Sequence, residues 1–512
     1  MPQLSQPAVR IATLGGAAGA LRVLPQAASL LNAVVTRDSG PKLVAVDNRL
    51  HSPSSSVTAA TASFDHLAMS DVSTGCLVTD MRNAVVAYQS QTIPELLRSI
   101  SIFTTCKQRW LVRNAEQILK TSAAALSQTL TDAVVKQTFF KQFCAGENSD
   151  EVLPVMHKLH SRGVGSILDY AAEADLSTGT TAAVFETSGV ESVYTKMIEA
   201  HCDGNLAKYL DAVALAAKAP PGEGVVAMKI TSLGNPLLLQ RMAIARDDIP
   251  ADLSEEEEQL AARVHERVGA IASAAQASGV ELLVDAEHSY FQVAIDSVAM
   301  RAMRTYNKDD AVVYNTYQCY LKDSGPKLEA HLAEAEAKGF QLGAKLVRGA
   351  YMNLERQRAE ELCYPSPIHD TIQDTHDNFN RCMEMMLDSV AAERGHLVIA
   401  THNEESCKRA MRTMSTLGIH PSNMRVKFGQ LQGMCDFLTY SLSAYGYRSY
   451  KYLPYGPLHE VLPYLIRRAQ ENSDMLGATD IERSLMLSEV WRRMSRFMRG
   501  TRGQVAAASA AA

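Results

Sequence analysis

PPGEGVVAMKITS, residues 220–232, is where the chain changes rhythm. Two prolines and two glycines end whatever precedes them. The eight residues that follow form a short β-rich run interrupted by a lysine. Upstream, apolar residues recur at helical spacing, as in RWLVRNAEQILK (109–120) and NLAKYLDAVALAAK (205–218). Downstream, six more β-rich runs appear: ELLVDAEH (281–288), AVVYNTYQ (311–318), AKLVRGAY (344–351), HLVIATHN (396–403), MRVKFGQL (424–431) and RSYKYLPYG (448–456). Long amphipathic segments separate them, among them EEEEQLAARVHERVGAIASAAQ (255–276) and NFNRCMEMMLDSVAAERG (378–395). Repeated strand–helix units predict a parallel sheet. Seven visible units, with an eighth strand hidden in the PPGEG or C-terminal region, favour a closed (βα)8 barrel preceded by a mainly helical region. A doubly wound open sheet is the competitor, but no G-x-G-x-x-G turn follows a strand.

The run ends carry the chemistry. Lys229, Asp285, Gln318, Arg348 with Tyr351, Thr401-His402-Asn403, Gln430 and Tyr452 all fall at or just beyond them. Barrel enzymes build their sites from the C-terminal ends of strands. Lys229 is costly inside an apolar run unless its charge is paired or its pKa falls. It suits a Schiff base, the support of a negatively charged cofactor, or a pair with Asp285. In AKLVRGAY, Lys345 and Arg348 suit an electron-rich or phosphorylated cofactor, and Gly349 would let a ligand approach the backbone. His402 has no second histidine or carboxylate at ligand spacing, so no metal is expected. DDIPADLSEEEE (247–258) lacks the spacing of a calcium loop and reads as an acidic helix start.

YLPYGPLHEVLPYLIRRAQEN (452–472) adds a paired cation. Tyr464, Arg467, Arg468 and Glu471 share one broad face of a helix. Two adjacent guanidiniums, splayed by roughly 100°, suit a carboxylate gripped from two sides.

The 512 residues carry a net charge of −6, which gives no general attraction to nucleic acid. No stretch approaches the length of a membrane span. Nine cysteines, none in a C-x-x-C pair, fit a reducing compartment and argue against structural zinc. The first acidic residue is Asp38, and Arg10, Arg22 and Arg37 precede it. Residues 1–38 therefore read as a mitochondrial targeting leader. Residues 39–75 read as a disordered linker, 76–219 as the helical region, 220–500 as the barrel and 501–512 as a disordered tail.

The motifs FFKQFCAGE (139–147), GVGSILDYAAEAD (163–175), LLVDAEHSYFQ (282–292), VVYNTYQCYLKD (312–323), GAKLVRGAYM (343–352), FGQLQGMCD (428–436) and YLPYGPLHEVLPYLIRRAQENS (452–473) resemble the mitochondrial proline dehydrogenase (proline oxidase) family. The similarity extends from about residue 139 to WRRM (491–494) and does not reach the first 75 residues. It implies a distorted (βα)8 barrel holding FAD above the strand ends, with proline between the flavin and the last barrel helix. Arg467 and Arg468 would clamp the carboxylate of L-proline. Tyr452 and Tyr464 would pack on its ring, Leu346 and Tyr351 would form the pocket wall, and Lys229 and Asp285 would complete the polar network. Gln318, Lys345, Val347, Arg348, Gly349, Thr401, His402 and Glu471 match flavin-lining positions.

The family's chemistry is hydride transfer from proline C5 to flavin N5, giving 1-pyrroline-5-carboxylate. The electrons then go to a membrane quinone, ubiquinone in mitochondria, which implies peripheral contact with the inner membrane from the matrix side. Many bacterial relatives carry Arg then Lys where this chain has Lys345 then Arg348. Relatives that prefer hydroxyproline carry a small residue in place of Tyr452. YPSPIHDTIQDTH (364–376) matches loosely, so no adenine or pyrophosphate contacts are assigned there. On residues alone, two other classes stay open: a lyase forming a Schiff base at Lys229, and a catalytically silent barrel that binds an amino acid.

Overall fold

The computed structural model describes residues 81–171, 191–244, 253–474 and 476–510. The expected leader and linker lie outside them. Eight parallel strands close into a barrel in sequence order: β1 Val164–Tyr170, β2 Gly224–Met228, β3 Glu281–Val284, β4 Val313–Gln318, β5 Leu342–Val347, β6 Gly395–Ala400, β7 Val426–Leu431 and β8 Ser449–Tyr455. Each of the seven runs seen in the sequence contains a strand. The remaining strand lies neither at PPGEG nor near the C-terminus. It is β1, which pairs with both β2 and β8 and so closes the ring. The barrel therefore begins well before residue 220, inside the stretch expected to be helical.

Side chains on a strand alternate between two faces, and the barrel sorts them into two cores. Ile167, Val225, Ala227, Leu283, Tyr314, Val398 and Tyr450 fill the interior, with Tyr452 packed on them. Leu168, Val226, Leu282, Leu342, Ala344, Leu346, Leu397 and Phe428 belong to the larger core shared with the surrounding helices. Glycine makes room for the interior tyrosines: a Cβ on Gly165 would sit 2.3 Å from the Tyr450 ring.

The helices start on local signals. Ser254 and Glu257 form a capping box ahead of Glu255–Ser278, and Gly279 ends that helix in the left-handed region at φ 64°. Asn403 caps Glu404–Thr416. The last helix runs Leu476–Ala510, through most of the segment expected to be a disordered tail. Its alanine-rich end has high intrinsic helix propensity.

The helical region before β1 braces one barrel helix, Leu458–Asp474, which carries the paired arginines. Ile102, Cys106, Val112, Phe140 and Phe143 form a core with Val461, Tyr464, Leu465 and Ala469. The stretch Phe143–Glu147 leads from this brace to the barrel mouth. Ala145 N–H donates to the Pro454 carbonyl at 2.9 Å, and Gly456 N–H donates to the Gly146 carbonyl at 3.0 Å. The Glu147 carboxylate accepts the Leu458 N–H at 3.2 Å, at the start of the arginine helix, and pairs with Lys136. An acid at a helix N-terminus is favourable there.

Among the described residues no helix is long and apolar enough to cross a membrane. The eight described cysteines are free, and no group of three or more His, Cys, Asp or Glu is placed to hold a metal. Truncating Phe143, which is fully buried in the brace, to alanine is expected to cost about 3–5 kcal/mol of stability. Urea denaturation of the full chain measures it, and a loss near zero would show that the brace is not packed as described.

Candidate active site

The strand ends meet across the barrel mouth. Asp285 follows β3 and Lys345 lies on β5; their side chains form an ion pair although the strands are not neighbours. Tyr452 on β8 donates its hydroxyl to Asp285 Oδ2 at 2.6 Å, and Lys345 Nζ lies 5.1 Å from the centre of its ring. Such contacts must span the interior. Burial alone would raise the Asp285 carboxyl, but the charges of Lys345 and Lys229, with the hydrogen bonds from Lys345 and Tyr452, hold it below the usual carboxylate range. The Tyr452 phenol is pushed well above its ordinary value by burial, then by Asp169 and Asp285.

Lys229 has a different neighbour from the one its sequence suggests. Its Nζ stands 3.5 Å from Asp169 on β1, while Asp285 is engaged by Lys345. Gln318 donates its Nε2 to the Glu287 carbonyl at 2.8 Å. The Glu287 carboxylate accepts the Thr231 N–H at 3.1 Å and the Thr231 hydroxyl. Burial raises the Glu287 pKa even against these bonds. Asp169 and Glu287 were missed in the sequence. Asp169 ends the GVGSILDY run in the same way that polar residues end the other seven.

The arginine helix lies over this floor. Arg468 is 7% exposed and Tyr464 5%. The Arg468 guanidinium lies 4.9 Å from the Tyr464 ring centre and pairs with Glu471. Arg468 Nε and the Tyr464 hydroxyl are buried with no hydrogen-bond partner among the described residues. Orphaned buried donors of this kind point to a ligand. Arg467, one position earlier, is half-buried.

Four expected site residues have other surroundings. Leu346 is fully buried in the barrel–helix core, one position out of phase with Lys345, and does not line the mouth. Leu431 takes the wall position, packed on the cluster containing Tyr464 and Met434. Arg348 shares the outward phase of Leu346. It donates from Nε to His376 at 2.9 Å, from one terminal nitrogen to the Thr401 hydroxyl at 2.6 Å and from the other to Ser406 at 2.9 Å. Its guanidinium packs 4.3 Å from the Phe379 ring centre. Thr401 is thereby its partner in the wall. Gly349, at φ 131°, is required by the protein itself, since a Cβ there would meet the Tyr320 ring at 2.4 Å. Of the rest, Val347 ends β5 on the same phase as Lys345. Tyr351 begins the next helix, Met352–Glu361, with its ring 4.2 Å from that of His288.

His402 accepts the Leu431 N–H on Nε2 at 3.0 Å, so its ring proton sits on Nδ1. Burial first, then the charges of Lys451, Arg468 and Arg348, push its pKa down to about 3. It is a neutral donor throughout the working pH range. The donors left at the mouth (Lys345, the Nδ1–H of His402, Arg468) suit an electron-rich ring and a carboxylate. A cavity of about 310 Å³ lies elsewhere, lined by Arg356, Tyr364, Ile368 and His369 among others; none of the expected site residues lines it.

The profile of the family described as proline dehydrogenase matches residues 152–480. Mitochondrial proline dehydrogenase 1 of Homo sapiens is 31% identical, the match covering 81% of this chain and 90% of that protein. Mitochondrial proline dehydrogenase 2 of Arabidopsis thaliana is 33% identical over 81% of this chain and 90% of its own. Hydroxyproline dehydrogenase of Xenopus laevis is 34% identical over 78% and 87%. Among solved structures, proline utilization A of Bdellovibrio bacteriovorus, inactivated by N-propargylglycine, superposes with a TM-score of 0.57 at 19% identity. That match covers 77% of this chain and 38% of the other, so the chain spans well under half of that protein's length. At this identity the likeness shows the fold alone.

Two measurements check the geometry. Leu346→Ala is expected to lower stability by about 2–5 kcal/mol without altering ligand affinity, whereas Leu431→Ala weakens ligand binding; the reverse pattern would return Leu346 to the pocket. His402 stays neutral when folded, while an unfolded imidazole takes its proton near pH 6.5. Between pH 6.5 and about 3 the unfolded chain binds the extra proton, so His402 makes stability fall as pH falls. Its share approaches about 1.4 kcal/mol per pH unit. His402→Gln should flatten the urea-derived stability curve between pH 7 and 5, and an unchanged slope would contradict the assignment.

Proposed function

Since this chain belongs to the proline dehydrogenase family, we propose that it oxidises L-proline to 1-pyrroline-5-carboxylate at the mouth of its barrel, with FAD bound above the strand ends. What carries the reading is Arg468: a buried guanidinium beside a tyrosine face, with its Nε left without a partner among the described residues. Arg467 and Arg468 bind the proline carboxylate. Tyr452, Tyr464 and Leu431 enclose the ring and exclude water, and Tyr351 closes the side beyond β5. Fixing the acid group leaves a small ring few other poses. Lys229 and Asp285 set the charge beneath it, which favours the neutral nitrogen the reaction needs.

Lys345, Gln318, His402 and the end of β5 at Val347 would hold the flavin, with Glu471 at its edge. Arg348, Thr401 and Gly349 would shape the wall that receives it. When bound, FAD supplies the two-electron acceptor for the hydride leaving proline C5. The reduced cofactor is then reoxidised by a membrane quinone, ubiquinone in this reading, at the matrix face of the inner mitochondrial membrane. The relatives' mitochondrial names and the acid-free, arginine-bearing leader support that location.

The frog relative's name raises hydroxyproline as a second substrate. Tyr452 favours proline, because its hydroxyl is tied to Asp285 at 2.6 Å and the ring is not free to swing aside.

Purified protein should show flavin absorbance that bleaches on adding proline; a colourless protein that oxidises no proline would refute the reading. Arg468→Met should raise the KM for proline, since a charge-assisted contact is worth roughly 1.5–3 kcal/mol, or roughly 10–150-fold. An unchanged KM would refute the clamp. Tyr452→Ser should shift the kcat/KM ratio toward hydroxyproline by roughly tenfold or more, and a fixed ratio would place the specificity elsewhere.

A further inference from the structure

Four charges alternate around the barrel mouth in strand order: Asp169 on β1, Lys229 after β2, Asp285 after β3 and Lys345 on β5. Lys229 is set between two buried carboxylates. Its backbone is pinned, with its N–H donating to the Tyr209 hydroxyl at 3.0 Å and its carbonyl accepting from Ser232 Oγ at 2.6 Å. Only its side chain is left to choose. It lies by Asp169, 3.5 Å away and itself only 3% exposed. Asp285 also feels the Lys229 charge, yet it is held by Lys345 and by Tyr452. The third nearby carboxylate, Glu287, is engaged by the Thr231 N–H and hydroxyl.

We propose that Asp169 is a positioning residue: it keeps Lys229 on the β1 side of the mouth and so leaves Asp285 to Lys345 and Tyr452. The inference rests on the proposed reaction only for its kinetic consequences. Without the Asp169 charge, Lys229 turns to Asp285, the remaining ionised carboxylate whose field it shares. It then competes with the Tyr452 hydroxyl, and the tyrosine that walls the substrate ring loses its anchor. A buried cation deprived of its partner does not stay unpaired when another is in reach.

The test uses full-length holoenzyme carrying Asp169→Asn or Asp169→Glu. Crystal structures of the Asn variant should show Lys229 Nζ in hydrogen-bond range of Asp285 and the Tyr452 hydroxyl displaced. With proline, kcat should fall on the order of a hundredfold, as expected for a misplaced reacting geometry. KM should change little, because the arginines still hold the carboxylate, and Asp169→Glu should restore most of kcat. If Lys229 keeps its place in the Asn variant, the inference is wrong whatever the activity. If Lys229 moves as stated in a protein that oxidises no proline, the positioning role stands and the proposed reaction falls. The double variant Asp169→Asn/Lys229→Met has no cation to redirect, so Tyr452 should stay on Asp285. Displacement there too would overturn the electrostatic account, and this variant also serves if the single one fails to fold.

Discussion

The Asp285 carboxylate, held between Lys345 and Tyr452, is the contact on which the site's geometry depends. A buried carboxylate is tolerated only when its charge is paired and its oxygens are occupied. Here one oxygen takes an ammonium from β5 and the other a phenol from β8. These strands adjoin neither each other nor β3, so the three groups meet only if the sheet closes. Closure in turn requires β1, the strand between β2 and β8. The same closure that removes every sheet edge therefore assembles the site, and fold and function share one constraint.

The second constraint comes from outside the barrel. A helix bearing two adjacent arginines gains little by lying over an apolar-lined mouth unless something else holds it there. The helices before β1 supply that hold through a core of phenylalanine, isoleucine and cysteine side chains packed on Val461, Tyr464 and Leu465. Glu147 meets the first N–H of the arginine helix, and the residues beside it pair with the end of β8. The N-terminal helical region thus fixes the distance between the roof of the site and its floor.

Much of this was legible in the sequence, for identifiable reasons. The seven runs stood out because each mixes β-branched or aromatic residues with a polar end and is followed by a helical period. β1 did not stand out: GVGSILDY follows helix Ser149–His160 after a three-residue turn, within a stretch whose other segments have helical spacing. The roles of Lys229, Lys345 and Tyr452 as inward groups could be seen, but their pairing could not. Choosing Asp169 over Asp285 for Lys229 requires knowing that β1 neighbours β2. Leu346 and Arg348 were misplaced because a strand-end motif gives positions without phase. Counting by twos from Lys345 turns both of them outward, toward Phe379 and the helix layer. Gly349 shows a further ambiguity, since a glycine needed for close approach does not say what approaches, and here it is Tyr320.

Charge sorting links these pieces. On the floor, Lys229 stands by Asp169 and Lys345 by Asp285, so the cations there are balanced before any ligand arrives. On the roof, Arg468 shares Glu471 yet keeps a buried donor unmet beside a tyrosine face. An incoming anion therefore gains more from the roof than from the floor, although both carry lysine or arginine. A small amphipathic ligand has one stable orientation under these conditions: acid group toward the helix, ring toward Tyr452 and the strand ends. His402, kept neutral by burial and by the cations around it, adds a donor without adding charge. Orientation is thus set by which charges are already satisfied, and the number of cations at the site decides much less.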